Sequence, residues 1–196
     1  MIKNPRLLLQ KSIENAYGLT AYCKTLRIFD VDVSKDKNYQ KNFTSYYRVR
    51  RDSKWLEKYY EFMEANKFNK DITFEIIIRY LSTLDHKVNK KVNANGYAPS
   101  IEASFASKML ATINPNYPIW DSIVVKSRGY KILAKNPEDK INEYIKFYNI
   151  LTNDILNFIN TSQGKECIRI FNNMFPDHKE ISDVKKIDFY LWNLGK

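Results

Sequence analysis

Apolar side chains recur at helical spacing along most of the chain. Capping residues precede several of these segments, as at Asp52, Asp71 and Asn136. The segments 31–45 and 85–98 are polar and are predicted to be loops, and five glycines with no alternating apolar run leave little room for a sheet. The sequence therefore predicts an all-α fold, a compact multi-helix domain over residues 1–196. Its helices are predicted at 5–29 (with a break near Gly18), 53–65, 72–84, 100–113, 121–128, 137–160, 163–174 and 183–194.

Composition limits the classes of protein to which the chain can belong. Hydrophobic residues make up 44% of the sequence, which is enough for a core, and the longest apolar runs are too short to cross a membrane. The segment that follows Met1 lacks the apolar core of a signal peptide, so a cytoplasmic location is expected. Two cysteines and two histidines without ligand spacing predict no metal site, and no motif indicates a cofactor.

The net charge of +10 suggests a nucleic-acid partner, because lysine and arginine side chains neutralise phosphates. However, lysines outnumber arginines 24 to 8, and asparagine and isoleucine are abundant, which is the residue usage of an AT-rich genome. The charge therefore has two interpretations, a functional basic surface and a genomic bias. We predict a DNA duplex as the partner, no membrane association, and a monomer as the default state.

Residues 93–129 carry the most informative pattern. A turn at Asn95-Gly96 precedes a helix rich in small residues, a loop braced by Pro115 and Pro118, and Asp121 at the start of the next predicted helix. Small side chains let another backbone or a phosphate approach closely. A turn beside a helix N-terminus also presents backbone N–H groups to phosphates.

This order of turn, helix, proline loop and aspartate resembles the helix-hairpin-helix DNA glycosylases, in particular the 8-oxoguanine glycosylase-like branch. Members carry a glycine-rich hairpin, a catalytic lysine just after it, and an aspartate roughly two dozen residues from the hairpin glycine. Gly96 and Asp121 have a comparable separation, and Pro118-Ile119-Trp120-Asp121 resembles the family's entry into the aspartate helix. The resemblance implies a helix-hairpin-helix fold and the excision of a modified base from DNA.

The sequence departs from this family at the hairpin. Where the family shows Gly-x-Gly-x-Lys, the chain reads Gly96-Tyr97-Ala98-Pro99-Ser100, without the second glycine and the lysine. Lys108, further along the same predicted helix, has two interpretations: a displaced nucleophile, or an ordinary lysine at the edge of an apolar face. A mechanism in which an aspartate acts without a lysine agrees better with this sequence.

The resemblance implies a role for each candidate residue. Asp121 would be the catalytic carboxylate that stabilises positive charge developing on the sugar, and Lys108 is the second catalytic candidate. Trp120 and Tyr117 would stack on the flipped base. Contacts to DNA would come from Gly96, Tyr97, Ser100, Lys126, Arg128 and Lys131.

Each candidate also has a purely structural interpretation. Asp121 would then cap a helix, the aromatic residues would belong to the core, and the basic residues would form a solvated helix end. Two other classes of function stay open: a helical module that binds nucleic acid or protein without catalysis, such as a phage-defence or regulatory factor, and a plain helical scaffold. Asp121 in a cleft with a basic rim favours the enzyme, whereas a carboxylate buried against its own helix start does not.

Overall fold

The computed structural model describes residues 4–14, 18–87, 96–121, 124–125 and 129–194. The prediction of an all-α fold is confirmed, because nine α-helices account for most of the described residues. Two 3-10 segments, Leu26–Phe29 and Pro176–His178, connect helices. The helices are α1 (Pro5–Glu14), α2 (Gly18–Thr25), α3 (Lys37–Tyr47), α4 (Ser53–Asn66), α5 (Phe74–Leu81), α6 (Ala103–Ile113), α7 (Pro137–Asn160), α8 (Ser162–Met174) and α9 (Asp183–Leu194).

Capping side chains fix several of the predicted helix starts. Asp52 and Asn136 each accept a hydrogen bond from the backbone N–H three residues further on, at 3.0 and 2.8 Å. Ser182 does the same at the start of α9, at 3.2 Å. The bounds of α7 and α9 are those predicted, and a new helix begins at Gly18, where a break was expected.

The prediction of a loop over residues 31–45 is wrong, because α3 occupies much of this segment. Asp36 caps the helix by accepting the backbone N–H of Tyr39 at 2.9 Å. Tyr39, Phe43 and Tyr47 are buried at a spacing of four residues, which places them on one face. Helical periodicity is therefore present here, carried by aromatic residues in an otherwise polar segment.

Two other helices begin later than predicted. Thr73, and not Asp71, caps α5 by accepting the backbone N–H of Ile76 at 3.2 Å. Helix α6 begins at Ala103 instead of residue 100. Before it, the strands β1 (Asp85–Lys87) and β2 (Tyr97–Pro99) pair antiparallel inside the segment predicted to be a loop.

Helix α6 lies in the hydrophobic core. Ten of its eleven residues are buried, and it packs against α5 and against the 3-10 segment Leu26–Phe29. The hydroxyl of Tyr59 in α4 donates to the backbone carbonyl of Phe105 at 3.0 Å, which ties a third helix to α6. In the described ranges, no helix combines the length and the apolar character needed to cross a membrane.

Gly164 stands in the first turn of α8, where this helix follows α7. A Cβ at this position would overlap the backbone carbonyl oxygen of Phe158, so the backbone would have to move. We expect Gly164→Ala to lower the free energy of unfolding by about 1–3 kcal/mol, the usual cost of overpacking. Urea unfolding beside Ser162→Ala, a change at an exposed position of the same helix, measures the effect. Equal stabilities of the two variants would contradict the expectation.

Candidate functional site

The candidate site is a pocket of about 140 Å³ to which α2, α3, α6, α9 and the chain around Asp121 contribute. Among the described residues, three cationic and two carboxyl side chains meet there, although they are far apart in the sequence. The described residues that line the pocket are Gly18, Tyr46, Tyr47, Arg48, Lys108, Ile119, Asp121, Val124, Lys185, Asp188, Phe189 and Trp192.

Lys108 enters the pocket from the middle of α6 and is only 8% exposed. Burial lowers the pKa of Lys108 to about 8; the carboxylate of Asp121 opposes this shift and the ammonium of Lys185 adds to it. An amine with this pKa is partly neutral at pH 7, and the neutral amine is the nucleophilic form. The interpretation of Lys108 as a lysine at a solvated edge does not fit this position.

Asp121 lines the same pocket and is half-buried. Its backbone carbonyl accepts the N–H of Val125 at 2.9 Å. Of the helix predicted at 121–128, residues 122–123 and 126–128 lie outside the described residues. Asp121 therefore lines a pocket wall to which Lys108 and Arg48 also belong.

Side chains from three parts of the fold fix the proline loop that leads to Asp121. They form hydrogen bonds with backbone N–H and carbonyl groups of the loop. These groups have no helical hydrogen bond, so the side chains supply the partners they lack. The loop is thereby held against α6, α7 and the start of α9. The bonds join Ser107 Oγ to the N–H of Trp120 (2.9 Å), the Tyr148 hydroxyl to the carbonyl of Pro118 (2.8 Å), and the Ser182 hydroxyl to the carbonyl of Pro115 (2.5 Å).

Helix α9 contributes a buried ion pair, in which Lys185 Nζ lies 4.0 Å from Asp188 Oδ2. Burial raises the pKa of Asp188 to about 7, while Lys185 and the backbone N–H of Ile119 act in the opposite direction. Asp188 Oδ2 has no hydrogen-bond partner within the described residues. An oxygen without a partner in a pocket wall is available to a hydrogen-bond donor of a ligand.

The aromatic residues of the pocket are not those selected from the sequence. The ring of Trp120 packs in the core, stacked on Tyr130 with the ring centroids 5.9 Å apart. Tyr117 is half-buried against the core. Neither is among the described residues that line the pocket, whose aromatic members are Tyr46, Tyr47, Phe189 and Trp192.

The hairpin candidates lie outside this set of pocket residues. Gly96 has a positive φ of 69° and precedes β2, where Tyr97 is 44% exposed. The hydroxyl of Ser100 contacts the carboxylate of Glu102, which is also bound by the guanidinium of Arg51. Ser100 therefore stabilises the start of α6 through Glu102.

The basic candidates after Asp121 are described only in part. Lys131 is exposed, whereas Lys126 and Arg128 lie outside the described residues. Arg48, which the sequence analysis did not select, is exposed and lines the pocket from the end of α3. It adopts a left-handed conformation with φ 53°.

A scan against protein-family models, a search of curated proteins and a search of solved structures found no match to this chain. Within the described part of the chain, no group of three or more histidine, cysteine, aspartate or glutamate residues could hold a metal ion.

The raised pKa of Asp188 makes stability depend on pH. The pKa of this carboxyl group is 3.8 in the unfolded chain and about 7 in the folded protein, so the group keeps its proton up to a higher pH when the protein is folded. Its contribution to stability is complete below about pH 4 and is lost as the pH rises to about 7. Asp188→Asn, which cannot titrate, should therefore flatten the decline in the free energy of unfolding over this range.

Urea unfolding at several pH values between about 4 and about 8 measures this slope. Asp183→Asn, which removes a half-exposed carboxylate of the same helix, is the control for the loss of one negative charge. A parent slope in the Asp188→Asn protein would show that Asp188 does not have a raised pKa.

Proposed function

We propose that the protein is a DNA glycosylase in which Lys108 and Asp121 act on one flipped base and its sugar. The observation that carries this proposal is that a buried lysine with a pKa of about 8 and a carboxylate residue line the same pocket. These are the two residue types that a glycosylase with a lysine nucleophile uses. The resemblance of residues 93–129 to that family supports the same assignment.

The proposed reaction breaks an N-glycosidic bond, and positive charge develops on the sugar as the bond lengthens. The carboxylate of Asp121 stabilises that charge. The neutral amine of Lys108 attacks the anomeric carbon, while the base leaves with the bonding electron pair and takes up a proton. Loss of the amine proton and opening of the sugar ring give a Schiff base, which water hydrolyses to restore the free lysine.

The involvement of Lys108 revises the mechanism that the sequence favoured. The lysine missing from the hairpin indicated an aspartate acting alone. The burial of Lys108 and its lowered pKa instead favour a displaced nucleophile on the same helix. An amine with its ordinary pKa would be almost fully protonated at pH 7 and would react slowly.

The remaining walls of the pocket suit a flat, polar ring. Phe189 and Trp192 supply aromatic surface, on which a base taken out of the duplex can stack. The carboxyl oxygen of Asp188 without a partner can bond to an N–H group of that base. Arg48 is placed at the exposed side of the pocket, where a phosphate would lie.

A second candidate is a helical module that binds nucleic acid without catalysis. The altered hairpin Gly96–Ser100 favours it, because the family's lysine position is occupied by a serine that contacts Glu102. The two candidates differ in one measurable property, the release of a base.

Asp121→Asn tests the role of the carboxylate. Asparagine keeps the size of the side chain and caps helices well, so we expect stability to change by no more than about 1 kcal/mol. Release of bases from a panel of modified duplexes should fall by about 10²- to 10⁴-fold, with DNA affinity retained. Lys108→Gln should abolish borohydride trapping of the protein on DNA, while Lys165→Gln, at an exposed position of α8, should not. If the Asp121→Asn protein released bases at the parent rate, Asp121 would have no catalytic role.

The net charge of +10 generates a separate prediction about binding. We expect micromolar or weaker binding to duplex DNA that falls steeply between about 50 and about 200 mM salt, because phosphate contacts release counterions. Arg48→Gln should weaken binding and reduce the salt slope by about one, whereas Lys165→Gln should leave both unchanged. Fluorescence anisotropy of a labelled duplex measures both quantities. Salt-independent binding, or none at low salt, would remove DNA as the partner.

A further inference from the structure

A second lysine lines the pocket, inside a cage of four aromatic rings. Lys185 Nζ lies 5.0–6.0 Å from the ring centroids of Tyr22, Tyr46, Tyr47 and Phe189. The side chain is 8% exposed. Aromatic rings attract an ammonium group to their negative faces, so this cage favours the charged form of Lys185.

We propose that Lys185 is a positioning residue, a fixed cation of the pocket that favours the neutral, nucleophilic form of the Lys108 amine. The catalytic meaning of this inference rests on the proposed glycosylase function. The electrostatic effect of Lys185 on Lys108 does not depend on that function, and it can be measured without DNA.

Geometry decides which of the two lysines gives up its charge. Both line a cavity of about 140 Å³, where burial limits the screening of their mutual repulsion. Lys185 has four rings around it and the carboxyl oxygen of Asp188 at 4.0 Å. Within the described part of the chain, Lys108 has one such ring, that of Phe105, at 5.3 Å from its Nζ. The repulsion between the two ammonium groups therefore favours loss of the proton from Lys108 and not from Lys185.

Charged groups from each element around Lys108 enter this balance. Asp121 and Glu102 favour its ammonium form, whereas Lys185 and Arg48 favour the neutral amine. The carboxylate of Glu102 is already paired with the guanidinium of Arg51, which weakens its effect. Lys185, held among the four rings, is thus the cation whose effect on the pKa of Lys108 counters that of Asp121.

The other titratable groups of the pocket do not replace Lys185. Burial raises the pKa of the Tyr46 hydroxyl, and burial raises that of Tyr47 to about 12, so both are neutral at pH 7. Burial lowers the pKa of Lys185 itself, but the carboxylates of Asp188 and Asp121 oppose that shift. The ring cage acts in the same direction as these carboxylates.

Acetylation by acetic anhydride tests the inference, because only neutral amines react. Peptide mass spectrometry across a pH series gives the midpoint for Lys108, expected near pH 8 in the parent protein. Lys185→Met keeps an apolar chain among the rings and removes the charge. It should raise the midpoint by on the order of one pH unit, which is about tenfold less neutral amine at pH 7. Lys185→Arg keeps the charge and should keep the midpoint of the parent protein.

Lys186→Met is the matched control, because Lys186 is an equally buried lysine of α9 that bonds to the carbonyl of Lys179. A parent midpoint in Lys185→Met, or an equal rise in Lys186→Met, overturns the proposal. If Lys185→Met does not fold, the acetylation midpoints of the two lysines in the parent protein test the proposal. Its Lys185 must acetylate with a midpoint above that of Lys108, and a midpoint at or below it overturns the proposal.

Base release separates this inference from the proposed function. If the protein is a glycosylase, the rate of base release by Lys185→Met should be about tenfold lower than that of the parent protein at pH 7 and should return to the parent rate at about pH 9. Lys185→Arg should keep the pH profile of the parent protein. A merely structural role would lower the rate equally at both pH values and overturns the proposal. If the parent releases no base but the acetylation midpoint shifts, the glycosylase function fails and the coupling of Lys185 to Lys108 stands.

Discussion

The burial of α6 is the constraint on which the candidate site depends. A helix with ten of its eleven residues buried has no broad solvent face toward which a lysine can extend. Lys108 therefore keeps its ammonium group in an interior pocket, and the loss of hydration lowers its pKa from 10.5 to about 8. The same lysine on a surface helix would stay charged at neutral pH. The lowered pKa of Lys108 is thus a consequence of how α6 packs against its neighbours and cannot be assigned to α6 alone.

Helix starts were predictable where a single side chain decides them, as at Asp52, Asn136 and Ser182. Helix α3 was not, because its buried face consists of aromatic residues in a segment whose other members are polar. This omission matters more for the site than for the fold. Tyr46, Tyr47 and Arg48, at the end of α3, form one wall of the pocket, and without the helix nothing in the sequence placed them near Asp121.

The candidate site was predictable only where its residues share one motif. Lys108 and Asp121 both belong to the segment that resembles the glycosylases, whereas Lys185 and Asp188 stand in the predicted helix 183–194, outside that segment. Tertiary packing brings α9 to the pocket, and no short-range pattern contains that information. A local signal did exist: Val184 and Ile187 are buried, and three charged residues of the same stretch are buried with them, Lys185, Lys186 and Asp188.

The ionisable groups of the pocket link the stability of the fold to the proposed reactivity of Lys108. A buried ion pair such as Lys185 with Asp188 contributes little net stability, because desolvation offsets most of the attraction between its charges. Apolar residues at these positions would hold the helices together at least as well. The desolvation that makes the groups costly also leaves Lys108 partly neutral and raises the pKa of Asp188 to about 7. A change that relieves this cost, by opening the pocket to water or by removing a charge, would therefore also remove the proposed reactivity of Lys108.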